Sequence, residues 1–344
     1  MKRPRCLACG LALGAGAEGE YHAACAKALF GSAAAPAFDY SDRELNRLAR
    51  DLVLRRMSVP GVQAKLSVHL ERRGGGAADR LTLVGLEGDW ILKLPSESWH
   101  ELPEAEHFCM GLARACGLAT ADFALVRLRS GAFAFLARRM DRTPDGPLHM
   151  EDFCQITGRL TEEKYRGSME QVGRALRETS AAPGLDALRL YELALFCFLT
   201  GNSDMHLKNF SMLRAPGGDW NLAPAYDLVP VRILLPADRE ELALALDGKK
   251  SNLRAENFGR FAVSLRLSDV QRRRAETRLL AAFRKNLPSA LAASFLSPGF
   301  KRRFRALADE RLARLATRSP DAEKLTQRTQ RTRAHAESAE SAEK

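Results

Sequence analysis

Gly201-Asn202-Ser203-Asp204-Met205-His206-Leu207-Lys208-Asn209-Phe210 decides how the rest of this 344-residue chain is read. Four residues separate Asp204 from Asn209. A loop with that D-x4-N spacing offers one carboxylate to take a proton from a hydroxyl and one amide oxygen to hold Mg2+, the pairing that phosphoryl transfer needs. Asp204 is read as the base and Asn209 as the magnesium ligand. Just upstream, Leu185 to Thr200 is apolar almost all round, which predicts a buried helix delivering the loop. Downstream, Trp220 to Ala223 reads as a short strand, and Asp227 in Ala225-Tyr226-Asp227-Leu228 stands where a second metal-binding carboxylate belongs. The spacing alone also fits an ordinary cap or turn, so the other parts of the site carry the decision.

Those parts lie earlier in the chain. Leu66, Val68 and Leu70, then Leu81 and Leu83, alternate on either side of Gly74-Gly75-Gly76, the pattern of two strands joined by a turn. Trp90 to Leu94 is a third strand carrying Lys93, and Pro103 to Cys116 has helical periodicity ending at Gly117. An ammonium on that strand reaches nucleotide phosphates when a helix glutamate holds it, here Glu104 or Glu106; a solvated edge lysine is the plainer alternative. Strands resume at Phe123 to Leu128 and Phe133 to Arg138. Ser58-Val59-Pro60-Gly61-Val62-Gln63-Ala64-Lys65 follows a helix predicted over Tyr40 to Leu54, with Ser41 or Asp42 at its start, and its backbone N–H groups are placed to cover phosphates. Beyond Met150 helical patterns dominate. The fold class expected is α+β, in two lobes: a small β-rich lobe over 39–142 and a mostly helical lobe over 143–318, with a charged tail at 319–344 predicted to be disordered.

Residues 1–38 form a separate segment and linker. Cys6, Cys9, His22 and Cys25 make C-x2-C-x12-H-x2-C across a glycine-rich turn. Three thiolates and an imidazole suit tetrahedral Zn2+, and four protein ligands leave no open position, so the expected role is structural; stray reduced thiols are the alternative. Cys109, Cys116, Cys154 and Cys197 lie in apolar surroundings and read as core. The net charge of +11 is concentrated late: Asp269 to Lys344 holds 18 basic and nine acidic side chains, which accounts for nine of the eleven. Arg272-Arg273-Arg274 and Lys301-Arg302-Arg303 read as solvated helix faces or as the footprint of an anionic partner. No apolar run approaches the roughly 20 residues of a bilayer span, and Met1 to Gly10 lacks a signal-peptide core. A cytoplasmic protein is expected.

With these motifs in order, the chain resembles the HipA-type serine/threonine kinases, toxins of bacterial toxin–antitoxin systems. Ser58 to Lys65 is similar to their S-x-x-G-x-Q-x-K loop, Asp204 to Phe210 to their D-x-H-x-K-N-F loop, and Ala223-Pro224-Ala225-Tyr226-Asp227 to their A-P-x-Y-D metal motif. Arg139-Met140-Asp141-Arg142 and Glu151-Asp152-Phe153-Cys154-Gln155 also match family signatures. The resemblance implies a kinase-like fold and an ATP- and Mg2+-dependent protein kinase. ATP would be held by Pro60, Gly61, Val62, Gln63, Ala64, Lys65, Lys93, Arg138, Arg139, Met140, His206, Lys208 and Tyr226. It further implies an aminoacyl-tRNA synthetase as protein substrate, arrest of translation, and autophosphorylation on Ser58, where a phosphate of charge near −2 repels the nucleotide's own. Pro60 departs from the pattern by removing one backbone donor from the loop. Only 57 residues precede Ser58, where longer members carry a β-rich subdomain. That arrangement resembles the short HipT-like members, and implies a separate small HipS-like subunit and a DNA-binding antitoxin of the HipB type. Membrane partners and direct specific nucleic-acid binding are not expected. Two alternatives remain: a pseudokinase acting as a binding scaffold, and a nucleic-acid-binding module built on the zinc segment and basic tail.

Overall fold

Period-two alternation builds an antiparallel sheet from β1 (Lys65–Glu71), β2 (Arg80–Val84), β3 (Trp90–Lys93), β4 (Phe123–Arg127) and β5 (Phe133–Arg138). The strand order is β2-β1-β3-β5-β4. The computed structural model describes residues 4–16, 19–41, 43–45, 47–48, 65–73, 78–84 and 88–316; the loop from Ser58 to Ala64, the Gly74–Gly76 turn and the 319–344 tail lie outside the described residues.

The two faces of the sheet serve two cores. Ala124, Val126, Ala134 and Leu136 join Val68, Trp90 and Leu92 in one cluster, while Phe123, Leu125 and Phe135 face the other way into the large core shared with the helical lobe. Adjacent residues of one strand thus point into different cores, as the pleat requires. Between β3 and β4 runs α2 (Leu102–Ala115), entered through Pro103 in its first turn and buried at Ala105, Phe108, Cys109 and Leu112. That i, i+3, i+4, i+7 stripe packs on the sheet, and Phe108 meets Phe304 of the helical lobe edge-on at 4.8 Å.

Before the sheet, α1 (Ala23–Phe30) begins at His22 and ends on Gly31 in the left-handed conformation. Its Leu29 and Phe30 enter the small core, with Phe30 5.4 Å from Trp90. The expected linker is more than a tether: Ala37 bridges to Arg80 on the outer edge of β2. Helical residues 43–45 and 47–48 fall within the predicted helix, and Ser41 and Glu44 cap its start, Glu44 Oε2 accepting from the Ser41 amide at 2.8 Å.

The helical lobe contains α3 (Met169–Thr179), α4 (Pro183–Thr200), α5 (Ala255–Ser264), α6 (Asp269–Ala293) and α7 (Pro298–Ala316). As expected, α4 is the most deeply placed, with Leu190 through Thr200 all buried. A small sheet of β6 (Met150–Asp152), β7 (Ser211–Arg214) and β8 (Trp220–Leu222), ordered β8-β7-β6, frames the loop that follows α4. The basic run of α6 is partly ion-paired within the chain, Arg272 with Glu276 at 2.8 Å and Arg273 with Asp269 at 3.1 Å, and further along α7 Arg314 pairs with Glu241 at 2.6 Å. Cys109, Cys116, Cys154 and Cys197 are buried, as their surroundings predict. No helix among the described residues is long and apolar enough to cross a membrane.

Candidate active site between the lobes

The loop from Gly201 to Phe210 begins where α4 must stop. Gly201 takes φ 69, and a side chain there would meet Leu307 Cδ2 at 2.6 Å and Arg232 Cβ at 2.9 Å, so only glycine makes this reversal at close quarters. The amide of Asn202 closes the helix on the Cys197 carbonyl at 2.8 Å. Asn202 Oδ1 then accepts from the Asp204 amide at 3.1 Å, and the Asn209 side-chain nitrogen donates to the Asp204 carbonyl at 2.9 Å. With its nitrogen engaged, Asn209 presents its other end, the carbonyl oxygen, as the amide's remaining acceptor. Asp204 and Asn209 are therefore held as one unit.

Across the cleft, Lys93 projects from the end of β3 and is 4% exposed. Its Nζ lies 2.5 Å from Glu106 Oε1 and also donates to Asp227 Oδ1. Of the two glutamates expected, Glu106 is the partner; Glu104 sits half-buried in the first turn of α2, two residues off the face that meets the lysine. Asp227 adopts φ 58, an uncommon conformation for a non-glycine residue, and its second oxygen accepts from Lys65 Nζ at 3.1 Å. Two ammonium groups and two carboxylates thus meet across the lobes.

Their charges are set by one another. Burial works to raise the Asp227 carboxyl, but Lys65 and Lys93 outweigh it and hold the group far below the usual carboxylate range. Burial likewise works against a charged Lys93, and Asp227 and Glu106 overcome it, so the ammonium is held more firmly than in water. Glu106 goes the other way. Burial, only partly opposed by Lys93 and reinforced by Asp227, pushes it up to about 7, because one lysine lies between two carboxylates and the better-paired Asp227 keeps the negative charge.

Other expected residues fall around this centre. His206 is buried, its imidazole pKa is lowered chiefly by burial, and the charges of Asp204 and Asp227 both reach it. Its Nδ1 has no hydrogen-bond partner among the described residues. Lys208 is committed to Asp152 at 2.6 Å, and the Tyr226 hydroxyl lies 2.6 Å from Ser211 Oγ while donating to the Lys208 carbonyl at 2.9 Å. Both polar ends brace the loop against β6 and β7. The Arg139 guanidinium forks onto Asp141 at 2.9 and 2.6 Å, Arg138 lies over the Trp90 ring at 6.0 Å, and Met140 packs half-buried on the large core. Ser58, Pro60, Gly61, Val62, Gln63 and Ala64 lie outside the described residues.

One contact has no motif behind it. Tyr165, 41% exposed, donates its hydroxyl to Asp204 Oδ1 at 2.5 Å and packs edge-on against His206 at 5.0 Å. It stands 39 residues from the aspartate in a stretch without periodicity, and only the abundance of charge nearby hints at it.

Cys6, Cys9, His22 and Cys25 form a second cluster, with all ligand atoms within 4.8 Å of one another. His22 Nδ1 is 3.3 Å from Cys9 Sγ and 3.9 Å from Cys25 Sγ, separations that fit edges of a tetrahedron with bonds of about 2.0–2.3 Å. Its Nε2 is 3.1 Å from the Ala12 carbonyl, which leaves Nδ1 free to ligate. The Cys6 thiol, despite burial, is lowered by backbone donors from Cys9, His22 and Ala8, while burial and the neighbouring thiols push Cys25 up to about 12.

A five-stranded antiparallel lobe carrying a lysine–glutamate pair, set against a helical lobe carrying a D-x4-N loop and a further aspartate, defines a protein-kinase-like fold. The HipA-like C-terminal domain matches residues 57–290, and the chain belongs to that family. It is 33% identical over 260 residues to "Putative kinase Y4dM" of Sinorhizobium fredii, covering 68% of this chain and 62% of that protein. With the serine/threonine-protein kinase toxin HipA of Shewanella oneidensis it shares 30% over 216 residues, 56% of this chain and 47% of the relative. The chain thus matches less than two thirds of either relative's length. The Shewanella toxin, solved with HipB and operator DNA, superposes with a TM-score of 0.63 at 24% identity over 75% of this chain and 65% of that one. The Helicobacter pylori proinflammatory kinase CtkA superposes at 0.51, with 15% identity, over 73% and 93% respectively.

Proposed function

We propose that this protein is an ATP- and Mg2+-dependent serine/threonine protein kinase of the HipA toxin type. The observation that carries the reading is the buried Lys93 ammonium held by Glu106 and Asp227 beside a loop that fixes Asp204 and Asn209 together. The donor set suits the ligands: hard oxygens from Asp227 and Asn209 for Mg2+, and the cations Lys65 and Lys93 for phosphate oxygens. Bound Mg2+ would neutralise charge on the transferring group. Asp204 takes the proton of a substrate serine as its Oγ bonds to the γ-phosphorus; the bond from that phosphorus to the β–γ bridging oxygen breaks, and ADP leaves with the electron pair. Lys93 stabilises the phosphates throughout, and Glu106 keeps it aimed.

In this reading the acceptor is an aminoacyl-tRNA synthetase in the cytoplasm, and its modification arrests translation. Ser58 takes a regulatory phosphate, and Pro60, Gly61, Val62, Gln63, Ala64 and Lys65, with Arg138, Arg139, Met140, His206, Lys208 and Tyr226, serve the nucleotide. The Shewanella relative was solved with HipB, which supports an antitoxin of that type; a small HipS-like subunit is a further expected partner. The Cys/His cluster takes structural Zn2+.

Purified protein with ATP and Mg2+ is expected to gain a phosphate on Ser58, and Asp204→Gln to gain none. Wild-type protein that mass spectrometry finds unphosphorylated, with no γ-phosphate passing to any protein of a cell extract, would sink the proposal.

A further inference from the structure

We infer that the Cys6–Cys9–His22–Cys25 cluster, loaded with Zn2+, is a brace that fixes the helix carrying Glu106, so that metal occupancy sets nucleotide affinity. This rests on the kinase and zinc readings above, and adds a mechanical link between them.

Leu7 and Ala8 lie in the turn between the ligands Cys6 and Cys9, and that turn touches the catalytic lobe through its backbone. The Ala8 carbonyl is 2.9 Å from His107 Nε2, and the Leu7 carbonyl accepts from the Leu125 amide of β4 at 2.8 Å. His107 is buried, burial lowers it to about 4, and so it stays neutral and donates Nε2–H to Ala8. It is also the residue next to Glu106. The other side of the segment grips the helical lobe: Arg5 donates to the Ala292 and Ser294 carbonyls at 2.5 and 3.2 Å. Gly10 comes so near the end of α6 that a side chain there would meet the Ala293 carbonyl oxygen at 2.6 Å.

The segment is therefore wedged between the two lobes, with its turn against α2. Backbone bonds close that turn, Gly10 donating to the Cys6 carbonyl at 2.8 Å and Cys6 to the Leu11 carbonyl at 2.9 Å, but few side chains pack behind it. Apart from Cys6 itself, Leu7 and Leu13 are the buried apolar side chains before Ala26 among the described residues, too few for a core without a cross-link. Release of the metal frees the Ala8 carbonyl, lets α2 shift, and draws Glu106 from Lys93. Cys9 is exposed, so chelators and thiol oxidants reach the site.

The test uses the full chain and two readouts: zinc by elemental analysis, and affinity for a fluorescent ATP analogue. Wild type is expected to hold one zinc, and Cys25→Ser to lose it and bind nucleotide roughly tenfold more weakly. His107→Phe, which the neighbouring Phe123 and Phe295 rings accommodate, is expected to keep zinc yet weaken binding similarly. In a Glu106→Gln background His107→Phe should add nothing further, a non-additivity that a merely structural histidine would not give. Zinc-free Cys25→Ser with undiminished nucleotide binding overturns the brace and leaves the metal reading standing. Wild type without zinc overturns the metal reading; zinc-loaded wild type that binds no nucleotide overturns the kinase reading. Should Cys25→Ser fail to fold, additivity of His107→Phe with Glu106→Gln overturns the brace by itself.

Discussion

Replacing Glu106 by glutamine probes the centre of the site with little change of shape. Glu106 is 1% exposed, and its carboxyl, ordinarily near 4.5, is pushed up to about 7. That gap, roughly 2.5 pH units, makes an ionised Glu106 cost about 3 kcal/mol at pH 8. Between about 4.5 and 7 the folded chain keeps a proton that the unfolded chain has lost, so this residue favours folding most in acid, and the benefit disappears as pH rises through that window. Glutamine escapes the penalty at pH 8, and the weaker neutral hydrogen bond it makes to Lys93 is already counted there, because the raised carboxyl is net of the lysine's pull. Urea unfolding is expected to show Glu106→Gln about 2–3 kcal/mol more stable than wild type at pH 8 and within about 1 kcal/mol of it at pH 5. Activity should move oppositely: kcat/KM for ATP drops roughly tenfold at pH 8, and the wild-type decline below pH 7 is absent from the variant. A variant destabilised by 3 kcal/mol or more at pH 8, the usual cost of breaking a buried ion pair, would refute the claim that burial outweighs Lys93 at Glu106, and full retention of kcat/KM would refute its role in aiming Lys93.

Tyr165→Phe removes the hydroxyl bound to Asp204, which on the proposed kinase reading competes with the acceptor serine; steady-state kinetics should show KM for the protein substrate falling severalfold, from about 1 kcal/mol of competing hydrogen bond, with kcat less affected. Gly201→Ala meets both a left-handed φ and the Leu307 and Arg232 side chains; about 2–3 kcal/mol of stability should go in urea titrations. Asp227→Asn leaves Lys65 and Lys93 facing each other without their shared anion. With Lys65 half in water, denaturant unfolding should register a loss of about 2 kcal/mol at neutral pH.

Much of this site was legible because its chemistry is local in sequence. Asp204 and Asn209 share one loop, Asp227 follows the next hairpin, and alternation from Leu66 to Leu83 and Trp90 to Lys93 specifies strands whichever way they pair. What stayed hidden depends on angle or distance. Glu104 and Glu106 lie about 200° apart around a helix, and choosing between them requires knowing which face of α2 meets β3. Lys208 and Tyr226 sit inside recognisable motifs, yet their polar ends turn toward Asp152 and Ser211, which no spacing announces. Tyr165 reaches Asp204 from a segment without pattern. The grip of residues 5–10 on β4, α2 and α6 runs through backbone carbonyls met by Arg5, His107 and the Leu125 amide, and no spacing in the sequence pairs a side chain with a distant carbonyl.

The outermost strands of the sheet, β2 and β4, are both covered by chain from the amino-terminal segment: Ala37 lies along β2 and Leu7 hydrogen-bonds to Leu125 of β4. Left open, such borders invite another copy to add its own strand. Each border is thus interrupted at one point by the amino-terminal segment, and a chain trimmed of residues 1–38 is expected to self-associate more readily than the full chain, which light scattering would register.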